Sequence, residues 1–286
     1  MIIALTQMDI IWKDKAANLK KGEELTRRAA EAGADMIVFP EMSFTGYSRH
    51  LDKIGEDLAT SETVKKMLEI SEKYQIAIVF GYAQNPAAGA EKGKNRLVVA
   101  ESGKILTQYD KIHPFTYGQE SESYQGGDHI AICNVNGADC SFYICYDLRF
   151  PEIFQVCSSY CQLMVVIANW PVERIGQWEA LLRGRAVENQ CYTVGVNRVG
   201  EGGGICYVPS SMGFDPYGER LPEQTCQDQE LLLVTVDEAG VGEYRKEFPL
   251  LQDRRQDLYI KLYHDDKVTN GVFISYNNES ASGFSK

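Results

Sequence analysis

The chain has 286 residues, of which 44% are hydrophobic and 24% are charged. This composition is typical of a globular protein with a sizeable core, and it excludes a largely disordered chain. Acidic residues outnumber basic ones by 40 to 29, which gives a formal net charge of −11. Nucleic acids and anionic membranes both select clustered Lys and Arg, and no basic run is present, so we expect neither as a partner.

The amino terminus reads as a strand rather than as a targeting segment. The stretch MIIALTQMDIIWKDK has no basic region ahead of its apolar residues and no small-residue cleavage pattern after them. No apolar run approaches the roughly 20 residues of a membrane-spanning helix. We therefore expect a cytoplasmic protein, whose eight irregularly spaced cysteines, lacking any CxxC pair, are free thiols in that reducing compartment.

Strand-like and helix-like segments alternate along the chain. Apolar strand-like runs lie at residues 2–8, 35–41, 76–82, 96–101, 140–147, 163–170, 191–199 and 231–237. Helical patterns occupy 15–33, where Asn18 is the predicted cap and Gly33 the predicted end, 61–74, where Ser61 is the predicted cap, and 176–190. The passage from Arg96 through GKILTQYDK is predicted to form a hairpin, whereas GEGGG from Gly200 reads as a flexible loop rather than a phosphate site.

Nearly all-apolar strands that alternate with amphipathic helices predict strands covered by helices on at least one face. We therefore expect a mixed α/β sandwich in a single domain at 1–264, because no Pro-, Gly- or Ser-rich linker divides it. Residues 265–286 are polar, rich in Asn and Ser, and without a period. We expect them to form a C-terminal tail, either as a mobile arm or laid over a partner subunit.

The stretch FYICYDLRFPE, residues 142–152, carries the strongest chemical signal. An apolar strand ends at Cys145, and a helix is predicted to start near Pro151. A thiol at such a turn lies at the carboxyl edge of the sheet, where α/β folds bind ligands and helix amides stabilise negative charge. This position predicts a lowered thiol pKa. The local sequence alone leaves a buried core cysteine as the alternative.

Two other charged residues follow predicted strands. Glu41 comes after an apolar strand and a proline in VFPEMSFTGYS, and scarce water there predicts a raised carboxyl pKa that suits a general base. A helix-capping or salt-bridged glutamate is the alternative. Lys111 in YDKIHPF closes another strand, where its charge would stabilise an oxyanion or a Cys145 thiolate. The alternative is an exposed lysine at a strand end.

Glu, Lys and Cys at three strand ends, in this order, resemble the nitrilase (carbon-nitrogen hydrolase) superfamily. The resemblance extends from the opening strand to LQDRRQDLY at 251–259, and it rests on FPE at 39–41, YDKIHPF at 109–115, CYDLRFPE at 145–152, ANWP at 168–171 and RAVENQCYTVGVNRVG at 185–200. It implies an α-β-β-α sandwich. CYDLRFPE and ANWP resemble the omega-amidase branch, whose members hydrolyse small dicarboxylic acid monoamides such as 2-oxoglutaramate and 2-oxosuccinamate.

The resemblance also implies a role for each matching residue. Cys145 corresponds to the nucleophile of an amidase, Glu41 to the base that accepts its proton, and Lys111 to the cation that stabilises the tetrahedral oxyanion. The family has a second glutamate between the Lys and the Cys. Here QESESYQGGD offers Glu120 and Glu122, and we choose Glu120 because its distance to the following Gly and Asp residues fits the family's loop better.

For substrate contacts, Arg149 resembles the family arginine that pairs with a substrate carboxylate, a bidentate contact that suits a guanidinium group. A surface ion pair of Arg149 with Glu152 or Asp147 is the alternative. Asn169 and Trp170, at the end of the next strand, are expected to line the same cleft, and Tyr146 is grouped with these substrate contacts.

No cofactor or metal is expected, because none of the four histidines has ligand spacing with another His or Cys. Cys157 and Cys161 share a helix face and are expected to pack in the core. The expected assembly is a homodimer with helices facing each other across the interface. Rival functions are an N-carbamoyl amino acid hydrolase, a short aliphatic amidase, a true nitrilase, and a catalytically silent protein that binds a small carboxylate or a protein partner.

Overall fold

The computed structural model describes residues 1–226 and 228–264. The first compact unit is Met1–Glu247. The second unit begins at Phe248, and its described part contains a 3-10 turn at Leu250–Asp253 and a helix at Gln256–His264. The tail predicted at 265–286 lies outside the described residues, and the predicted domain limit at 264 stays a prediction.

Strands and helices follow one another along the described residues in a mixed α/β order. The strands are β1 (Ile2–Thr6), β2 (Met36–Val38), β3 (Ala77–Gln84), β4 (Lys94–Glu101), β5 (Lys104–Asp110), β6 (Ile132–Val135), β7 (Ala138–Ile144), β8 (Leu163–Ala168), β9 (Tyr192–Asn197), β10 (Gly200–Gly202), β11 (Ile205–Tyr207), β12 (Met212–Phe214), β13 (Gln224–Cys226) and β14 (Asp228–Thr235). The helices are α1 (Lys15–Glu31), α2 (Leu51–Ile54), α3 (Glu62–Tyr74), α4 (Glu120–Ser123), α5 (Pro151–Cys157), α6 (Ile175–Asn189), α7 (Glu238–Glu247) and α8 (Gln256–His264). Among the described helices, none is long and apolar enough to cross a membrane.

The strands form two large sheets in the first unit. The seven-stranded sheet has the order β13-β14-β1-β2-β3-β4-β5, and the five-stranded sheet has the order β12-β9-β8-β7-β6. In the first sheet β1, β2 and β3 are parallel, and in the second β7, β8 and β9 are parallel. The predicted hairpin is confirmed, because β4 and β5 pair in antiparallel fashion directly after one another.

Successive side chains along each strand point to opposite faces of its sheet, and this alternation gives four layers. In β1, Ile3 and Leu5 belong to the core between the two sheets, whereas Ala4 faces the core shared with α1 and α3. In β8, Leu163, Val165 and Ile167 belong to the same inter-sheet core. The alternate side chains Met164, Val166 and Ala168 pack with α5 and α6. Each sheet is therefore apolar on both faces, and the predicted α-β-β-α sandwich is confirmed.

The caps explain where two helices begin. Ser61 caps α3 by accepting from the Val64 amide, as predicted. The predicted cap at Asn18 is wrong, because α1 is capped by Asp14, whose carboxylate accepts from Ala17 N at 3.1 Å. Asn18 is instead fully buried, and its amide bridges the main chain of Ile11 and Phe44. A polar side chain is thus retained inside because it satisfies buried backbone groups.

The GEGGG stretch does not form the predicted flexible loop. Strands β10 and β11 pair as an antiparallel hairpin, with Gly202 opposite Ile205. Gly203 and Gly204 form its turn with φ of 61° and 79°, a conformation that favours glycine. The glycines therefore specify a tight turn, and the hairpin carries Ile205 and Tyr207 to the wall of the cleft described below.

Candidate active site

The chemically important side chains lie just beyond strand ends. Cys145 directly follows β7, Asn169 directly follows β8, and Lys111 directly follows β5. Glu41 lies three residues beyond β2, in a turn that also places Met42 at φ 45°. All four line one cleft, which is where a sandwich of this type exposes the carboxyl ends of its parallel strands.

Cys145 opens a 3-10 turn, Cys145–Arg149, which leads into α5 at Pro151, as the sequence predicted. Its φ of 48° is an uncommon conformation for a residue with a side chain. Asp147 holds this turn, because its buried carboxylate accepts from Tyr109 Oη at 2.8 Å, Ile144 N at 3.2 Å and His113 N at 2.9 Å.

A buried ion-pair network connects two carboxylates to one ammonium group. Lys111 Nζ lies 2.9 Å from Glu41 Oε1 and 2.8 Å from Glu120 Oε2. All three side chains are at most 1% exposed. Burying one cation between two anions is costly unless every charge has partners. Here the remaining acceptors are satisfied by Phe115 N, which donates to Glu120, and by two asparagines.

Asn95 and Asn169 orient the carboxylates. Asn95 Nδ2 donates to Glu41 Oε1 at 2.7 Å and to Glu120 Oε1 at 2.8 Å. Asn169 donates to Glu41 twice, through its backbone amide at 3.1 Å and through Nδ2 at 3.2 Å, and its Nδ2 also reaches the Glu41 carbonyl oxygen at 2.7 Å. Glu41 is therefore held by donors on all sides, so its carboxylate orientation is fixed.

The predicted rise in the Glu41 pKa is wrong. Burial by itself raises this pKa, but the charge of Lys111 and the hydrogen bonds from Lys111, Asn95 and Asn169 outweigh it, so the pKa lies below its ordinary value. Burial likewise lowers the pKa of Lys111, but Glu120 and Glu41 together raise it well above its ordinary value. At neutral pH both groups are charged.

The predicted lowering of the Cys145 pKa is also wrong. Burial raises the thiol pKa well above its ordinary value, and the negative charge of Glu41 adds to this rise. Lys111 and the backbone amide of Asn169 act in the opposite direction without overcoming it. The resting site thus holds a protonated thiol beside an ionised carboxylate, an arrangement in which the carboxylate can accept the thiol proton as the sulfur attacks.

Two glutamates in the QESESYQGGD stretch occupy different environments. Glu120 is fully buried and bonded to Lys111, Asn95 and Phe115. Glu122 has a side chain that is 64% exposed and pairs with Arg49 at 3.0 Å. The structure therefore brings Glu120, and not Glu122, to Glu41 and Lys111.

All of the predicted substrate contacts line the cleft. The lining residues are Glu41, Tyr47, Lys111, Phe115, Cys145, Tyr146, Arg149, Asn169, Trp170, Pro171, Arg174, Ile205 and Tyr207. Among the described residues, Arg149 does not form the alternative ion pair with Glu152 or Asp147. Arg149 Nη2 donates instead to Gln177 Oε1 at 2.7 Å, and its guanidinium lies 4.8 Å from the Trp170 ring centre.

Several residues of this site were not predicted from the sequence. Asn95 precedes the predicted strand at 96–101, and only the pairing of β4 beside β3 and β5 brings it to both carboxylates. Tyr47 belongs to the VFPEMSFTGYS motif, yet nothing local marks its side chain as part of the cleft. Arg174, Ile205 and Tyr207 reach the cleft from a 3-10 turn and from the β10–β11 hairpin. Of these residues, only Asn95 carried a signal in the sequence, because it is a polar residue directly beside an apolar strand.

Within residues 1–226 and 228–264, no group of three or more His, Cys, Asp or Glu side chains is arranged to hold a metal ion. The eight cysteines are all free thiols, as predicted. Cys157 and Cys161 are both buried in the core beside α5 and α6, as expected. The predicted shared helix face is wrong, because α5 ends at Cys157 and Cys161 lies outside it.

Fold and site together define a hydrolase that acts on carbon-nitrogen bonds other than peptide bonds. A carbon-nitrogen hydrolase family model matches residues 2–246, and the chain belongs to this family. The omega-amidase YafV of Escherichia coli K12 is 32% identical over 252 residues, which cover 88% of this chain and 95% of that protein.

Two further relatives cover a similar extent. The 2-oxoglutaramate amidase of Bacillus subtilis is 29% identical, with 90% of this chain and 98% of that protein covered. The solved structure of XC1258 from Xanthomonas campestris, a CN-hydrolase superfamily protein with an arsenic adduct in its active site, superposes with a TM-score of 0.81 at 29% identity, covering 89% of this chain and 97% of that one.

Proposed function

We propose that this chain is an omega-amidase, which hydrolyses the carboxamide of small dicarboxylic acid monoamides such as 2-oxoglutaramate and releases ammonia. The observation that carries the proposal is the buried Glu41–Lys111–Glu120 network next to Cys145 in a cleft that also contains Arg149. We assign Cys145 as the nucleophile, Glu41 as the general base and Lys111 as the electrostatic stabiliser, with Glu120 positioning Lys111.

In the first half-reaction, Cys145 Sγ attacks the amide carbon while its proton passes to Glu41. The carbonyl oxygen becomes an oxyanion, which Lys111 and the backbone amide of Tyr146 stabilise. Glu41 then donates the proton to the amide nitrogen, the carbon-nitrogen bond breaks, and ammonia leaves. The product at this stage is a thioester between the acyl group and Cys145.

In the second half-reaction, a water molecule occupies the position that ammonia left. Glu41 accepts one of its protons while the oxygen attacks the thioester carbon, and the same oxyanion contacts stabilise the second tetrahedral intermediate. Collapse of this intermediate returns the proton to Cys145 Sγ and releases the carboxylic acid. The net reaction consumes one amide and one water and yields one acid and one ammonia, so no cofactor is required.

The substrate class is supported by the relatives and by one side chain. Relatives at 32% and 29% identity are named an omega-amidase and a 2-oxoglutaramate amidase. Arg149 supplies a guanidinium group in the cleft, which suits the free carboxylate of a dicarboxylic acid monoamide. An N-carbamoyl amino acid or a short aliphatic amide would use the same Glu41, Lys111 and Cys145, and only the acyl contacts would differ.

The test is ammonia release by the wild type and by Cys145→Ala from 2-oxoglutaramate, succinamate, glutamine, an N-carbamoyl amino acid and a simple aliphatic amide. We expect release mainly from the two dicarboxylic acid monoamides and its loss in the variant. Preferred turnover of the ureido compound or of the aliphatic amide would refute the substrate class. Release that persists in Cys145→Ala would refute the nucleophile.

We also propose that the protein is a cytoplasmic homodimer. Free cysteines throughout the chain suit a reducing compartment. On the outer face of neighbouring helices, Val156 of α5 is 63% exposed and Val187 of α6 is 44% exposed, and apolar side chains there favour a helix-to-helix interface. Sedimentation analysis is expected to give a dimer for the wild type and a monomer for Val156→Glu combined with Val187→Glu.

A further inference from the structure

The cleft contains a second arginine that the proposed mechanism does not use. Arg174 ends the 3-10 turn Val172–Arg174 between β8 and α6, and it lines the same cleft as Cys145 and Arg149. Its guanidinium carbon lies 5.7 Å from the ring centres of both Phe115 and Tyr117. These cation–π contacts do not neutralise its charge.

Neither arginine of the cleft has a carboxylate partner among the residues that the structure describes. Within the described part of the chain, no salt bridge involves Arg149 or Arg174. Among the described residues that line the cleft, Glu41 is the one carboxylate, and it is already bound to Lys111, Asn95 and Asn169. Two uncompensated cations in a chain of net charge −11 indicate an anion that arrives with the ligand.

Trp170 links the two arginines. Its ring lies 4.8 Å from the Arg149 guanidinium carbon, and its Nε1 donates to the Arg174 carbonyl oxygen at 2.9 Å. Trp170 is only 3% exposed, and its backbone amide donates to Asn197 Oδ1 at 2.7 Å. One rigid aromatic residue therefore positions the side chain of Arg149 and the main chain of Arg174.

We propose that Arg174 is a second substrate-recognition residue, which acts with Arg149 to select an acyl group that ends in a free carboxylate. An ionised carboxylate has two oxygens and about four lone-pair sites, so it can accept from two guanidinium groups at once. A 2-oxo group next to the carboxylate adds a further acceptor. A neutral short amide would leave both cations without an anion. This inference rests on the proposed function, because it concerns the acyl group of the amide that Cys145 attacks.

The test compares succinamate with butyramide, which has the same chain length but ends in a methyl group instead of a carboxylate. The measured quantity is the ratio of kcat/KM for succinamate to kcat/KM for butyramide. We expect Arg174→Gln to lower this ratio by about tenfold or more, mainly through a higher KM for succinamate, since a hydrogen bond between charged groups is lost. Arg174→Lys keeps the charge and is expected to restore part of the ratio.

Arg220→Gln is the matched control. Arg220 lies outside the cleft, with its side chain 45% exposed and paired with Glu223 at 2.8 Å, so its loss is expected to leave the ratio at the wild-type value. A ratio in Arg174→Gln equal to that of Arg220→Gln would overturn the inference. So would an equal loss of kcat/KM on succinamate and butyramide, which would mean that Arg174 only maintains the shape of the cleft.

A binding measurement separates this inference from the proposed function. Calorimetric titration of succinamate into Cys145→Ala requires no turnover, and adding Arg174→Gln is expected to weaken binding by about tenfold or more. Weakened binding together with an absence of amide hydrolysis in the wild type would support carboxylate recognition and refute the amidase proposal. Unchanged binding together with normal hydrolysis would refute the role of Arg174 alone.

Discussion

Tyr47 carries a hydroxyl that is buried in the cleft wall and has no hydrogen-bond partner among the described residues. A buried O–H without a partner destabilises the folded protein, and this cost is recovered when a ligand supplies an acceptor. We expect Tyr47→Phe to lower kcat/KM on the best substrate by roughly tenfold and to leave the melting temperature unchanged or higher. Steady-state kinetics and thermal unfolding check both parts, and unaltered kinetics would exclude a substrate contact.

Glu120 and Glu122 provide a matched pair of substitutions. Glu120→Gln removes one of the two carboxylate charges that raise the pKa of Lys111. The ammonium group is therefore less firmly oriented, and its pKa is lower. We expect kcat to fall by about 100-fold or more. Glu122→Gln alters only an exposed pair with Arg49, and it is expected to retain wild-type turnover. Similar kcat values for the two variants would remove Glu120 from the catalytic group.

The lowered pKa of Glu41 predicts the acid side of the pH profile. Glu41 must be ionised to accept a proton, and its pKa lies below the ordinary glutamate value. The rate should therefore stay high through neutral pH and decline only below the ordinary glutamate pKa of about 4.3. The free energy of unfolding changes with pH in the same direction. Because the pKa of Glu41 is depressed in the folded state, the ionised carboxylate stabilises the protein above the unfolded pKa, and this stability is lost as the pH falls through the folded value. An acid limb of kcat/KM centred above pH 6 would contradict this assignment.

The raised pKa of Cys145 predicts how its thiol reacts. A thiol that remains protonated at neutral pH needs a neighbouring base for attack, so alkylation of Cys145 should depend on Glu41. We expect iodoacetamide to label Cys145 at neutral pH more slowly in Glu41→Gln than in the wild type, because the variant lacks the base that accepts the thiol proton. Peptide mapping by mass spectrometry gives the rate at each pH. Equal labelling rates in the two proteins would mean that Glu41 does not accept the thiol proton.

At the scale of single elements, the 3-10 turn Cys145–Arg149 determines how the nucleophile is presented. Asp147 anchors this turn to Tyr109 and His113, while α5 continues the chain from Pro151. Asp147→Asn keeps the volume but loses part of these hydrogen bonds. We expect the free energy of unfolding to fall by about 1–3 kcal/mol and kcat to fall with it, because the strained φ of Cys145 loses its support.

Urea unfolding and steady-state kinetics of Asp147→Asn test the role of this turn. Asp128→Asn is the matched control, since its side chain is 96% exposed and its loss is expected to change neither quantity. If Asp147→Asn unfolded at the wild-type urea concentration, the carboxylate would not be what holds the turn.

At the scale of the whole molecule, most of the strands and helices that form the layers could be predicted from the sequence. The spacing of apolar residues that indicates them is a property of each segment by itself. Strand β8 is a continuous apolar run, and Ser61 marks a helix start through its own side chain. The predicted helix start at Asn18 is wrong because two residues near each other, Asp14 and Asn18, both suit a cap. The GEGGG stretch was misread because glycines specify a tight hairpin turn as readily as a loop.

The candidate site was predicted less completely, because its chemistry depends on contacts between distant segments. Glu41, Lys111 and Cys145 stand at strand ends in recognisable motifs, so their meeting could be expected. The pKa directions could not, since they depend on hydrogen bonds from Asn95 and Asn169, which lie 54 and 128 residues from Glu41.

The central claim is a covalent thioester on Cys145, and acid-quenched mass spectrometry during turnover of 2-oxoglutaramate tests it most directly. We expect the wild type to carry the acyl group, without the amide nitrogen, on the peptide that contains Cys145, and Cys145→Ala to carry none. The seven other cysteines serve as internal controls and should stay unmodified. Ammonia release with no acyl group on Cys145, or an acyl group on another residue, would contradict the account.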